Sequence, residues 1–305
     1  MKKLLSFLLV LTLVAFAFIP AMAEESFNIA INLKTLSSEY WQTVKAGCDR
    51  AAAELGVTID VQGAAAETEI AEQVAQLETQ LAGNPDAIII APLDGDAVIG
   101  AITSSGYQGI VVFCDTDCAY EAKTSFVGTS NEDAAYAGGV YGGAINGQDT
   151  KAVIIYGQEG DNTSNLRKAG YEKALAELGV EPVAMLSGNN TTDGATKVME
   201  DLLSAHPDGI NLVLCHNDDT AIGALNAVEA AGVSGISILG FDGNQSAIEL
   251  IAAGKLTGTV AQQPELMGFL SVETALKALK GEEVEKTVSV ATVIIDAANH
   301  AEYLK

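Results

Sequence analysis

Charged and amide side chains recur at the points where short apolar runs of this chain stop. Lys34 closes the first such run, and Ser37, Ser38, Tyr40 and Trp41 follow it at the start of a helical stretch. Asp115 follows Val111-Val112-Phe113-Cys114, Asn217 and Asp218 follow Leu214-Cys215, Asp242 follows Ile238-Leu239-Gly240-Phe241, and Gln262 follows Val260-Ala261. Arg167 stands early in the helical stretch after the run 151–156. Carboxylate, amide and guanidinium groups can each grip two neighbouring hydroxyls, and an aromatic face can cover the apolar side of a ring. Trp41 is the single tryptophan of the chain, so its place beside this polar set is informative. Taken singly, Asp115, Asp218 and Asp242 fit the commoner role of turn or helix-capping residues. Tyr40 and Trp41 alone would fit a core, and Lys34 and Arg167 a solvated surface. Their joint recurrence at run ends in both halves of the chain favours a shared site.

The elements that must carry these residues alternate strand with helix. Strands are expected over 27–34, 57–61, 87–91 and 110–113, with helices over 39–55, 70–82 and 95–105 between them. After Gly128-Thr129-Ser130-Asn131 the pattern restarts, with Asn131 or Asp133 placed to cap a helix reaching about residue 145. Strands then fall at 151–156, 183–186, 212–215, 237–239, 258–261 and 292–295. Helices lie near 165–178, 193–205, 219–231, 245–253 and 264–280, the last opened by Pro264. Runs such as Ile88-Ile89-Ile90 lack polar alternation, as strands of a parallel sheet buried on both faces do. The expected class is α/β: two doubly wound parallel-sheet lobes. Such sheets bind ligands at the carboxyl ends of their strands, so two facing each other make one cleft.

Composition removes several classes. The formal charge of −24, from 40 acidic against 16 Lys and Arg residues, opposes binding to nucleic acid or anionic lipid. A basic Lys2-Lys3, an apolar stretch over 4–19, Pro20 and Ala21-Met22-Ala23 form the three parts of a secretory signal. Residues 1–23 are therefore expected to be removed from an exported chain. The four cysteines and three histidines show no metal-ligand spacing, and no cofactor is expected. Cys114 and Cys118 can bridge if a loop brings them together, although two small buried thiols is the plainer reading. No GxSxG elbow or GxxxxGK[ST] loop is present, and an enzyme is not expected. An acid–base pair of Asp115 and Asp242 is the one catalytic alternative. Gly138-Gly139 and Gly142-Gly143 sit in a helical stretch and read as close-packing positions, not a nucleotide loop.

The motifs Leu33-Lys34-Thr35-Leu36-Ser37, Tyr40-Trp41, Ala91-Pro92-Leu93, Cys114-Asp115, Val127-Gly128-Thr129, Ala205-His206-Pro207-Asp208, Asn217-Asp218, Gly240-Phe241-Asp242-Gly243 and Ala261-Gln262 are similar, in order and spacing, to those of the ribose-type periplasmic binding proteins. Lys34 with Trp41 looks more like the allose-binding members. The resemblance implies a monosaccharide or small neutral polyol held by hinge closure and delivered, by a monomer, to the permease of an ABC importer. A chemoreceptor ligand or furanose-like signal is the alternative. It implies a site of Lys34, Ser38, Tyr40, Trp41 and Asp115 from one lobe, Arg167, Asn190, Asn217 and Asp242 from the other, and Gln262 at the hinge. Crossings near Thr129, Gln262 and Ala291 would divide 24–129 plus 263–291 from 130–262 plus 292–305. Three positions depart from the family pattern: Ser38-Glu39 stands for Asn-Pro, Asn190 for an aromatic residue, and Thr116 for a residue that often contacts ligand. Two cations, Lys34 and Arg167, against two anions, Asp115 and Asp242, suit a neutral polyol better than a phosphate.

Overall fold

The computed structural model describes residues 26–305 apart from residue 208, so the expected signal segment 1–23 and Asp208 of the 205–208 motif lie outside the described residues. The first half runs β1 (Asn28–Thr35), α1 (Glu39–Leu55), β2 (Thr58–Ala64), α2 (Ile70–Ala82), β3 (Ala87–Ile90), α3 (Gly95–Ser105), β4 (Ile110–Cys114) and β5 (Ser125–Gly128). The second runs α4 (Asn131–Asn146), β6 (Ala152–Tyr156), α5 (Asn162–Glu177), β7 (Ala184–Ser187), α6 (Thr192–Ala205), β8 (Leu212–Cys215), α7 (Asp218–Ala230), β9 (Ser237–Asp242), α8 (Gln245–Ala252) and β10 (Gly258–Ala261). Three elements complete the chain: α9 (Pro264–Leu279), β11 (Thr287–Ser289) and β12 (Val293–Asp296).

Two six-stranded sheets result, ordered β2-β1-β3-β4-β5-β11 and β7-β6-β8-β9-β10-β12. Both repeat one winding, and every pairing is parallel except the antiparallel β10–β12 pair. Helices cover both faces of each sheet, which is why the inner strands are apolar on both sides. In the first sheet Ile29, Ile31 and Ile89 pack into one core while Ile88, Ile90 and Phe113 pack into the other. In the second sheet Val153 and Ile155 face one core, Ala152 and Ile154 the opposite one. The chain passes between the sheets three times: after β5, after β10 and between β11 and β12.

The expected elements are present, with two additions. β5 and β11 escape a reading of apolar runs: each is very short, and β11 is exposed at Thr287 and Ser289. Their pairing with each other joins residues 161 apart, so tertiary contact rather than local propensity makes them strands. The glycines of α4 do allow close packing. A Cβ on Gly139 would lie 2.6 Å from that of Ala174 in α5, and one on Gly170 only 2.2 Å from the Glu132 carbonyl oxygen. The α4 cap differs from expectation. Ser130 is the N-cap, and Asn131 instead turns its amide oxygen to Arg167. All four cysteines are free and buried, so Cys114 and Cys118 do not bridge. Among the described residues no helix is long and apolar enough to cross a membrane.

Candidate functional site

The carboxyl ends of the parallel strands in both sheets converge on one cavity, where Lys34, Ser38, Tyr40, Trp41, Asp115, Arg167, Asn217 and Asp242 all stand in the lining. Asn190 and Gln262 stand just behind it, each held to a neighbouring site residue by hydrogen bonds. Most of these side chains are buried.

On the first lobe, Lys34 closes β1. Ser38 caps α1, its hydroxyl accepting from the Trp41 amide, and this turn brings Tyr40 and Trp41 down beside the strand end. Tyr40 and Trp41 meet edge to face at 5.1 Å. The Tyr40 hydroxyl donates to Asp115 at 2.5 Å, and the Thr116 hydroxyl donates to the other Asp115 oxygen at 2.8 Å. The Trp41 indole N–H donates at 2.7 Å to Glu67, which comes from the loop between β2 and α2.

On the second lobe, Arg167 is fixed from several directions. It donates to the Asn131 amide oxygen and the His216 carbonyl, both at 2.8 Å, and lies 3.7 Å over the Phe241 ring. Its guanidinium approaches Asp242 at 3.5 Å, and Gln262 donates to the same Asp242 oxygen at 2.9 Å. Asn217 forms a capping box with Thr220 at the start of α7, its amide oxygen accepting from the Thr220 N–H, while its amide nitrogen donates to the Asn190 carbonyl at 3.4 Å. Asp218 accepts from the Gly243 and Asn244 amides and the Thr259 hydroxyl, which ties the turn after β9.

Backbone strain is concentrated here. Asp115, Asn190 and Asp242 have φ of 65°, 60° and 124°, a region that residues with a Cβ rarely enter. Such conformations cost about 1–3 kcal/mol each and persist where the surroundings over-determine them, commonly at binding sites. Gly157 makes a different allowance. A Cβ there would lie 2.1 Å from the Asn190 side-chain oxygen and 2.9 Å from the His216 ring.

Several bonds bridge the lobes. The Lys34 ammonium reaches Asp161, the N-cap of α5, at 2.6 Å, with both side chains almost wholly buried. Asn190 donates to Glu67 at 2.7 Å, and the hydroxyls of Thr116 and Thr163 meet at 2.9 Å. Away from the cavity, Glu39 of α1 accepts from the Gln245 amide at 2.6 Å and the Ser246 hydroxyl at 2.8 Å, at the N-terminus of α8.

Burial sets the protonation of these groups. It alone would drive the Lys34 ammonium toward neutrality, but Asp161, Glu67 and Asp115 outweigh it and raise its pKa. Burial raises the Glu67 carboxyl despite Lys34 and the Trp41 and Asn190 donors. Burial also raises Asp242, opposed by Arg167 and reinforced by Asp218. Asp218 itself is pushed up to about 7 by burial, against its amide and hydroxyl donors. His216 is held neutral by burial and by the nearby Arg167 and Lys34 charges.

Sequence reasoning missed Glu67, Asp161, Thr163, His216 and Asp219. Glu67 lies in a loop with no strand-end signal, and its role depends on a fold that brings β2 beside β1. His216 directly follows the end of β8, and that signal was available; Asp161 stands five residues past β6, as the N-cap of α5. The balance of two cations against two anions is therefore incomplete. Glu67 and Asp219 also line the cavity, and Asp161 neutralises Lys34 from behind.

A periplasmic binding protein domain model matches residues 29–283. The ribose import binding protein of Bacillus subtilis is 31% identical over 268 residues, covering 87% of this chain and 86% of its own. A periplasmic solute-binding protein of an ABC transporter from Actinobacillus succinogenes, solved with bound D-allose, superposes with a TM-score of 0.83 at 30% identity, covering 91% of this chain and all of the other. A Caulobacter myo-inositol binding protein bound to myo-inositol superposes with a TM-score of 0.83 at 27% identity, covering 90% and 95%. With two sheets of one winding, a cleft at their strand ends and matches along most of its length, the chain belongs to the periplasmic binding protein family.

Proposed function

We propose that this protein is an exported solute-binding protein that captures a monosaccharide or similar small polyol by hinge closure and delivers it to the permease of an ABC importer. The observation that carries this reading is the cavity fed by strand ends of both lobes and crossed by Lys34–Asp161, Glu67–Asn190 and Thr116–Thr163. Ligand entry requires the lobes to part, and closure is favoured because only the closed form satisfies both faces at once. Lys34, Ser38, Tyr40, Trp41, Asp115, Arg167, Asn190, Asn217, Asp242 and Gln262 are the residues assigned to the ligand or its immediate support. Segments near Thr129, Gln262 and Ala291 serve as the hinge between 24–129 plus 263–291 and 130–262 plus 292–305. The names of relatives that bind ribose, allose and inositol support the ligand class.

The polar groups serve binding rather than turnover. Asp242 is engaged by Arg167 and Gln262, and Asp115 by two hydroxyls, an arrangement that holds fixed acceptors for ligand hydroxyls. Incubation with candidate sugars is expected to return them unchanged. The mature chain is expected to begin near Glu24, to be monomeric and to dock on its permease in the closed form.

A thermal-shift screen over sugars and polyols tests the reading. A ligand at about 100 times its Kd adds about 2.7 kcal/mol of stability, a readily measured rise in melting temperature. A screen in which only amino acids or phosphates raise the melting temperature would overturn it.

A further inference from the structure

The charges around the cavity do not balance. Glu67, Asp115, Asp219 and Asp242 line it, whereas Lys34 and Arg167 are the only cations in the lining. Both cations are already matched. Lys34 is neutralised by Asp161 from behind at 2.6 Å, and Arg167 lies 3.5 Å from Asp242. Glu67 and Asp115 accept hydrogen bonds only from neutral donors, the Trp41 indole and Asn190 amide for one, the Tyr40 and Thr116 hydroxyls for the other. Asp219 accepts no side-chain hydrogen bond among the described residues. Burial raises the Glu67, Asp219 and Asp242 carboxyls alike, and a cation brought beside them would favour their charged forms. An ionised carboxylate offers about four acceptor directions, so Glu67 and Asp115 each keep about two free.

A second feature points to a ligand independently. His216 lines the same cavity at 4% exposure, and its ring nitrogen Nδ1 has no hydrogen-bond partner. A buried ring nitrogen left unpaired is costly unless something else binds it. A neutral polyol can satisfy His216 and the free carboxylate lone pairs, but it leaves the negative excess uncompensated in a buried site. A polyol carrying one ammonium group satisfies both. The Glu67 carboxylate, held by the Trp41 indole N–H and the Asn190 amide, is a pre-set anion that an ammonium group could meet with charge-assisted hydrogen bonds.

We infer that the cleft selects an amine-bearing polyol, an amino sugar or an aminated cyclitol, with its ammonium group held at Glu67 beside Trp41. This rests on the solute-binding function proposed above and narrows its ligand class.

The test is titration calorimetry of the purified mature protein against matched pairs: D-glucosamine with D-glucose, D-galactosamine with D-galactose, and an amino-inositol with myo-inositol, plus D-ribose and D-allose. At least one amine is expected to bind about tenfold or more tightly than its neutral partner, a margin in keeping with a buried charge pair. The Glu67→Gln variant is expected to bring that pair within about threefold, chiefly by weakening the amine. If neutral members bind as tightly as their amines, the inference falls and the sugar-binding function stands. If Glu67→Gln weakens both members of a pair equally, Glu67 is a structural support and the ammonium assignment falls. If no compound of either kind binds, the inference and the function it rests on fall together.

Discussion

The two faces of the cleft solve the problem of buried charge in different ways. The face on the second lobe is self-contained. Arg167 is gripped by Asn131, the His216 carbonyl and the Phe241 ring before it meets Asp242, and Asp242 is shared with Gln262. The face on the first lobe is incomplete by itself. Its Lys34 makes its direct ion pair across the cleft with Asp161, and its Glu67 reaches Asn190 on the other side. One lobe thus presents a rigid, pre-organised surface, while the other carries groups whose partners arrive on closure. In an open cleft water hydrates these groups, so the pairs made across it must offset the desolvation that closure imposes.

Variants that break the self-contained face should have the largest effects. Asp242→Ala and Arg167→Ala are each expected to abolish measurable binding, and calorimetry would show it. Their stabilities should differ. Without Asp242, Arg167 keeps Asn131, His216 and Phe241, and the melting temperature should move little. Without Arg167, Asp242 can take up a proton, but the Asn131 amide oxygen, the His216 carbonyl and the Phe241 ring lose their partner, and a stability loss of about 3 kcal/mol is expected by denaturant titration. Equal stability losses in the two variants would show that the two faces are not built differently.

Next in size is Lys34→Met, which removes the deepest cross-cleft pair and strands Asp161. It should weaken ligand binding by about 30-fold or more, in line with the cost of leaving one member of a buried pair alone. Glu39→Gln tests closure away from the ligand. It keeps acceptor capacity but removes the charge placed at the α8 N-terminus, a contribution of about 0.3–1 kcal/mol. A shift of the unliganded protein toward larger radii in small-angle scattering, with a severalfold weaker Kd, is the expected readout.

A pH dependence of stability is expected from Asp218. Its folded-state pKa of about 7 lies above its ordinary value of 3.8, so the folded chain holds a proton that the unfolded chain releases between them. This contribution is fully present below about pH 4 and is lost as pH rises through about 7. Unfolding free energies measured at pH 5 and pH 8 should therefore fall with rising pH, and Asp218→Asn should flatten that slope.

The residues at strand ends were legible because a parallel sheet places them there whatever else happens. Lys34, Asp115, Asn217 and Asp242 each follow an apolar run, and each stands in the cavity. Glu67 was not legible. It belongs to a loop whose position follows from β2 lying beside β1, and nothing in residues 64–69 announces that neighbour. Asn190 was legible only through family likeness, and its left-handed backbone and bond to Glu67 come from the packed cleft. Asn217 shows the opposite limit. Its cap on α7 is local chemistry that sequence could supply, and it takes up the oxygen of the amide expected to face a ligand.

The alternation of buried strands with helices, the acidic surface and the polar strand ends are properties of local sequence, because hydrophobic periodicity and turn chemistry act over a few residues. They determined two α/β lobes and the kind of groups between them. The short strands β5 and β11, the cross-cleft pairs and the excess of negative charge around the cavity were decided only by tertiary structure. Each depends on residues from distant parts of the chain meeting in a buried place, where the absence of water makes an unpaired charge count.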